Sequence, residues 1–303
     1  MRILLIAGGW SSEREVSLSG ARVIEQALRR LGHETTFFDL SSGFDRLLPE
    51  ARKHDFSFIN LHGSPGEDGL IQAMLDAAGL PYQGSGPQGS FLALHKAASK
   101  QIFRENGLRT PDWVFLPAPP QDGFEPPFAY PVFVKANTGG SSLHLYQAAD
   151  KAALHKALRD IFAAGAEAII EPLIAGREVT CGILGDAALP PILIEPLCGE
   201  FFDYDSKYKQ GGARELCPAP ISETATAEAQ AMTLAAHRAL GLSGYSRADF
   251  ILTPDDVLWL LEINTLPGMT ATSLIPQEAA VVGYDFDQLI ARLIDLGMSA
   301  RRA

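Results

Sequence analysis

The 303 residues carry 36 acidic and 25 basic side chains, a formal net charge of −11, and 47% of them are hydrophobic. That length accommodates two or three domains of about 100–200 residues each, and the composition is that of an ordinary globular chain. The negative balance argues against nucleic acid or an anionic membrane as partner, although a small anionic ligand needs only a local positive site.

The chain opens on MRILLIAGG. Its apolar stretch, 3–7, stops at Gly-Gly and is too short for a signal peptide. No apolar run approaches the ~20 residues of a membrane helix. Cys181, Cys198 and Cys217 are sparse and lack CxxC spacing, so reduced thiols in a cytoplasmic protein are expected.

Residues 2–7 read as a strand, 15–31 as a helix, and 56–61 as a second apolar strand ending at the polar loop HGSPGEDG. A helix over 70–78 and an extended piece at 81–83 follow. Strands alternating with helices predict a parallel sheet, with ligand loops at the carboxyl ends of its strands. Residues 90–106 read as one helix, and 117–127 as a proline-rich surface loop. Next come a strand (132–135), a glycine-serine loop (137–142), a strand (143–147), a helix (151–164) and a strand (168–171), which together make a small α+β unit. From 177 onward the pattern gives strands, a polar aromatic loop over 200–215, a helix over 224–240, two strands and a terminal helix over 287–296.

The two late strands carry the clearest chemistry. SRADFIL (246–252) and the run ending in LEIN (261–264) are joined by TPDD, which is turn chemistry. A turn centred on Asp255-Asp256 places Asp249 opposite Glu262 and Arg247 opposite Asn264. Residues two apart share a face, so all four polar groups fall on one side of one hairpin. Opposed carboxylates repel. A divalent cation removes that cost, and Asp, Glu and Asn oxygens suit Mg²⁺. The alternative is a surface hairpin with a salt bridge from Arg247 to Asp249 or Glu262.

Lys135 stands at a strand end before Gly139, Gly140, Ser141 and Ser142. Glycines let backbone N–H groups approach phosphate oxygens, and serine hydroxyls add donors. The loop is neither a Walker A sequence nor a GxGxxG turn, and an ordinary turn is the alternative. Lys96, with Lys100 one helical turn on, is a second candidate phosphate contact, or else a pair of surface lysines.

GGWSSEREVSLSG (8–20), NLHGSPGEDG (60–69), VKANTGGSS (134–142), FFDYDSKY (201–208), GYSRADF (244–250) and LEINTLPGMTATSLIP (261–276) occur in that order. With them the chain resembles the D-alanine–D-alanine ligases of the ATP-grasp superfamily over essentially its whole length. The resemblance implies an α/β, ATP-grasp architecture. Residues 1–86 would form an N-terminal parallel-sheet domain, 87–176 a central α+β subdomain, and 177–303 a C-terminal catalytic subdomain with a mobile lid at 200–215. It implies ATP and D-alanine as substrates, two Mg²⁺ ions with Mn²⁺ as an alternative, a homodimer, and peptidoglycan precursor synthesis in the cytoplasm.

By the same resemblance Glu13 would bind the ammonium of the first D-alanine, where the residue alone reads as a helix cap, and His62 would line that pocket. Lys96, Lys135, Ser142 and Lys207 would contact phosphates. Glu171 and the Leu173 backbone would read adenine, and Glu178 the ribose. Asp249, Glu262 and Asn264 would hold the metals. Ser273 and Leu274 would take the second carboxylate. Ser141 and Tyr208 would close the lid with Glu13, and Arg247 with the Gly268 N–H would stabilise the oxyanion. Departures from the family pattern are His95, Ala136, His144, Pro172 and Phe202, and they leave room for another acceptor such as D-lactate, D-serine or a different amine. A nucleotide-binding protein without catalysis is a third reading, against which Glu13 and Arg247 speak.

Overall fold

A computed structural model describes residues 1–140, 144–197, 212–270 and 272–301. Three sheets organise it. The first is parallel, with β1 (Arg2–Ala7) between β2 (Glu34–Asp39) and β3 (Phe56–Asn60). All five β3 residues are buried, as expected for a strand covered on both faces. Helices α1 (Arg14–Arg30), α2 (Phe44–Ala51) and α3 (Leu70–Ala77) connect this region. Residues 81–83 contribute an isolated parallel bridge from Tyr82 to Ser57.

The expected single helix over 90–106 is two helices, α4 (Pro87–Leu94) and α5 (Lys96–Glu105). His95 has extended backbone, and its side chain accepts from the Ala98 N–H, so it caps α5. Aspartate, a common N-cap residue, would accept the same N–H.

The second sheet is antiparallel, in the order β4 (Val114–Leu116), β7 (Ala168–Pro172), β5 (Val132–Ala136), β6 (Leu145–Ala148), with α6 (Lys151–Ala163) on one face. His144, which precedes β6, has φ 54°, a conformation that favours glycine.

The third sheet runs β11 (Ala213–Leu216), β10 (Ile192–Pro196), β8 (Arg177–Leu184), β12 (Tyr245–Leu252), β13 (Leu258–Asn264), with β9 (Ala187–Ala188) on β8. Helix α7 (Glu223–Ala239) and residues of α4 and α5 pack against it. Helices α8 (Leu274–Val281) and α9 (Phe286–Ala300) return to the N-terminal sheet, where Leu289, Ile290, Leu293 and Ile294 share a core with β1 and α1. Each fully buried aliphatic side chain of that kind contributes about 1.5–3 kcal/mol.

Candidate active site

The hairpin of β12 and β13 pairs Asp249 with Glu262 and Arg247 with Asn264, the pairs expected from a turn centred on Asp255-Asp256. The register does not continue unchanged to the turn. Phe250 pairs with Leu260, which leaves Leu261 as an extra residue in a β-bulge. The bulge has a consequence for the site: Leu261 and Glu262 are neighbours, yet both line the same cleft as Asp249 and Ile251.

That cleft has a volume of about 940 Å³ and is walled by the second and third sheets. Lys96, Lys135, Glu171, Leu173, Glu178, Asp249 and Glu262 all face it, together with Gly139 and Gly140. Its remaining walls include Phe133, Ile174, Ile194 and Leu197, an apolar lining suited to a flat ring. The Leu173 N–H reaches Pro131 O at 3.3 Å, a long bond for a backbone pair.

The charges are arranged in pairs. Lys96 Nζ lies 3.1 Å from Glu262 Oε2 and donates to Gly139 O at 2.8 Å. Lys135 Nζ lies 2.5 Å from Glu171 Oε2, and Lys100 Nζ lies 2.6 Å from Glu171 Oε1. Burial alone would raise the Glu171 pKa, but the two ammonium groups hold it down at about 2. Burial lowers the Lys135 pKa, yet Glu171 and Glu262 outweigh it and the group stays charged. Arg247 donates through Nε and Nη2 to the two Asp249 oxygens, both at 2.8 Å. Asp249 Oδ1 also accepts from Thr180 at 2.8 Å. The salt bridge weighed as an alternative for the hairpin is therefore present, but inside the cleft region, where the Arg247 side chain is 16% exposed and that of Asp249 11%.

A second cluster lies at the ends of β1 and β3. Glu13 occupies the N-cap position of α1, yet its side chain makes no capping hydrogen bond. Its carboxylate lies instead beside Gly63 and Gly140. A Cβ at Gly140 would sit 3.4 Å from Glu13 Oε2, so a side chain there would crowd the carboxylate. Buried His62 has Nδ1 3.9 Å from Glu67 Oε1. Burial pulls its pKa down, but Glu67 and Glu13 pull harder and leave it above the ordinary value. A small cavity of about 30 Å³ shares Lys96, Gly139, Gly140 and Glu262 with the walls of the large cleft and is also lined by Glu67 and Asn264.

Gly268, Ser273 and Leu274 form a third group, outside the walls of the large cleft. Ser273 is the N-cap of α8, its Oγ accepts from the Thr270 N–H at 2.9 Å, and a Cβ at Gly268 would lie 2.9 Å from that Oγ. Ser141, Ser142, Lys207, Tyr208 and Phe202 lie outside the described residues, as does most of the expected lid; within 200–215, β11 is its described end.

Two residues at these sites were read differently or not named from sequence. Lys100 is fully buried and is not among the residues lining the cleft, which corrects the reading of it as a phosphate contact or surface lysine. Its signal was its place on the apolar stripe of α5, between Ala97 and Phe103. Glu67 belongs to the acidic loop after β3, and only the fold shows that it is buried against His62.

The donor set fits a hard divalent cation. Asp249 and Glu262 are opposed across the ladder, and Asn264 Oδ1 is held by the Leu266 N–H at 2.9 Å with a lone pair left over. Among the described residues no three His, Cys, Asp or Glu side chains form a metal cage. Two carboxylates with water and phosphate completing the shell is a Mg²⁺ arrangement.

Residues 102–295 match the family model described as D-ala D-ala ligase C-terminus. The chain belongs to the D-alanine–D-alanine ligase family. It is 65% identical over 299 residues to the D-alanine–D-alanine ligase of Desulfovibrio desulfuricans, covering 99% of this chain and 98% of that one. It is also 65% identical over 300 residues to the ligase of Nitratidesulfovibrio vulgaris (strain DP4), covering 99% of each. The crystal structure of the Bacillus anthracis ligase complexed with ATP superposes with a TM-score of 0.89 at 32% identity, covering 100% of this chain and 99% of that one. The α/β, ATP-grasp fold expected from sequence is thus the fold found. No helix among the described residues is long and apolar enough to cross a membrane.

Proposed function

We propose that this protein joins two D-alanines into D-alanyl-D-alanine at the expense of ATP. The carboxylate of one D-alanine attacks the γ-phosphorus, ADP leaves, and an acyl phosphate forms. The amine of the second attacks the acyl carbon, and phosphate leaves. The observation that carries this reading is a single cleft. In it, lysines from α5 and β5 face the Asp249–Glu262 pair of the third sheet, and Gly140, on its wall, lies beside the Glu13 carboxylate.

Each group has a task that its setting supports. Lys96 and Lys135 hold phosphate oxygens, the apolar walls with Glu171 and Leu173 take the adenine, and Glu178 takes the ribose. Glu13, aimed past Gly140, takes the first ammonium, and His62 lines that pocket. Ser273 and the Leu274 N–H at the start of α8 take the second carboxylate. Arg247 and the Gly268 N–H stabilise the tetrahedral oxyanion. Asp249, Glu262 and Asn264 would hold Mg²⁺, two ions by resemblance, which when bound neutralises charge on the transferring phosphoryl group. Ser141, Ser142, Lys207 and Tyr208 belong to the closing loops, whose task is to keep water from the acyl phosphate. The three-domain partition, the homodimer, a cytoplasmic location and service to peptidoglycan synthesis accompany this reading.

The test is phosphate release from Mg-ATP with D-alanine alone, with L-alanine alone, and with D-alanine plus D-lactate or D-serine, products identified by mass. D-alanine-dependent phosphate with D-alanyl-D-alanine is the expected result. Turnover only with a different acceptor would move the chain to another specificity within the family.

A further inference from the structure

Glu171 binds two ammonium groups that face different surroundings. Lys135 lines the cleft, whereas Lys100 is 0% exposed and is not among the residues lining it. Lys100 Nζ also donates to Thr110 Oγ1 at 2.6 Å and lies 5.6 Å from the Trp113 ring centroid. It is anchored by these partners, which do not line the cleft. A buried lysine is costly unless paired, and the mechanism above gives this one no task.

We infer that Lys100 is a positioning residue for nucleotide binding: it keeps Glu171 paired and fixed, so that Lys135 can leave that carboxylate for a phosphate. The argument rests on the nucleotide reading of the cleft. As arranged, Lys135 Nζ sits on Glu171 Oε2 at 2.5 Å. A polyphosphate in the cleft competes for the same ammonium. If Glu171 had Lys135 as its only cation, that exchange would strand a buried carboxylate, and the cost would be subtracted from nucleotide affinity. Lys100 on Oε1 removes the penalty. After the exchange a neutral Lys100–Glu171 pair remains, and Oε2 is released toward the cleft, able to accept an N–H from the nucleotide base. Two cations around one anion also leave the trio with a surplus positive charge, which favours a phosphate ligand.

The experiment uses the full chain and three variants: Lys100→Met, Glu171→Gln and the double variant. Mg-ATP affinity is measured by calorimetry without D-alanine, kcat and KM for ATP with saturating D-alanine, and stability by thermal melting. Lys100→Met is expected to weaken ATP binding by about tenfold or more, mostly in KM, with kcat at saturating ATP largely kept. In the Glu171→Gln background, where no carboxylate holds Lys135, the same substitution should change ATP affinity by no more than about twofold. Parental ATP affinity in Lys100→Met, with only the melting temperature moved, would overturn the inference and leave Lys100 a packing residue; an equal loss in both backgrounds would overturn it too, since the effect would then not run through Glu171. If Lys100→Met does not fold, the comparison of Glu171→Gln with the double variant decides alone, a further loss counting against the inference. Because affinity is read without D-alanine, an absent ligation reaction with intact ATP binding would sink the proposed reaction and not this role.

Discussion

Arg247 is tied to Asp249 by its Nε and Nη2 hydrogens, which fixes the plane of the guanidinium. Burial alone would lower its pKa, but Asp249 more than compensates, and the group is a permanent cation. A fixed donor costs no reorganisation when charge develops, which is why such groups act strongly on transition states. Arg247→Ala is therefore expected to lower kcat by ~10²–10³. It also leaves Asp249 without its counter-ion in a largely buried place, so part of the folding stability goes with it, up to about 3–5 kcal/mol. Arg247→Lys separates the two effects. A lysine restores a positive charge beside Asp249 but not the planar fork, so melting should recover toward the parent while kcat stays low. Steady-state kinetics and thermal melts on both variants check this, and a near-parental rate in either removes Arg247 from the oxyanion role.

At the scale of elements, His95 divides what reads as one helix. Its Nδ1 accepts from the Ala98 N–H at 3.1 Å, its Nε2 lies 3.6 Å from Glu167, and its ring is 5.5 Å from that of Phe115. His95→Ala should cost about 0.5–2 kcal/mol, the usual loss for an N-cap, read by denaturant unfolding. His95→Asp should restore the cap but place a second carboxylate against Glu167, so it recovers only part of the loss. A full loss in His95→Asp would mean that ring packing, not capping, is what the residue contributes. What could be read from sequence divides along the same physical line. Buried strands ending in polar loops were legible, because burial on both faces forces an apolar run, and the facing of Asp249 and Glu262 followed from the turn chemistry of TPDD together with side-chain alternation. The Leu261 bulge was not legible, since the inserted residue is as apolar as its neighbours and only pairing reveals it. Strand β2, ETTFFD, was missed because it is a partly exposed edge strand with no clean alternation. The break at His95 was missed because histidine is a rare cap and no glycine or proline marks the point.

For the molecule as a whole, the buried titratable groups set how folding responds to pH. His237 is buried on α7, its Nδ1 2.7 Å from Ser246 Oγ, and burial lowers its pKa from 6.5 to about 4. The fold thus favours the neutral ring. Its contribution is complete above pH 6.5 and is lost as pH falls toward 4. Glu171, held at about 2 against an ordinary 4.5, contributes fully above pH 4.5 and loses its contribution as pH falls toward 2. Each shift corresponds to about 3 kcal/mol. His62 runs the other way: its raised pKa gives stability that is present below pH 6.5 and declines as pH rises through its folded value. The expected profile has an acid limb in two steps, the first between pH 6.5 and 4 from His237, the second below 4.5 from Glu171. His237→Gln keeps a hydrogen-bonding group near Ser246 but cannot take up the proton, so it should flatten the first step and leave the second. Denaturant unfolding at half-unit intervals from pH 7.5 to 3 makes the comparison. A first step of equal size in His237→Gln would assign it to other groups, with His33 the next to replace, since burial also lowers its pKa from 6.5.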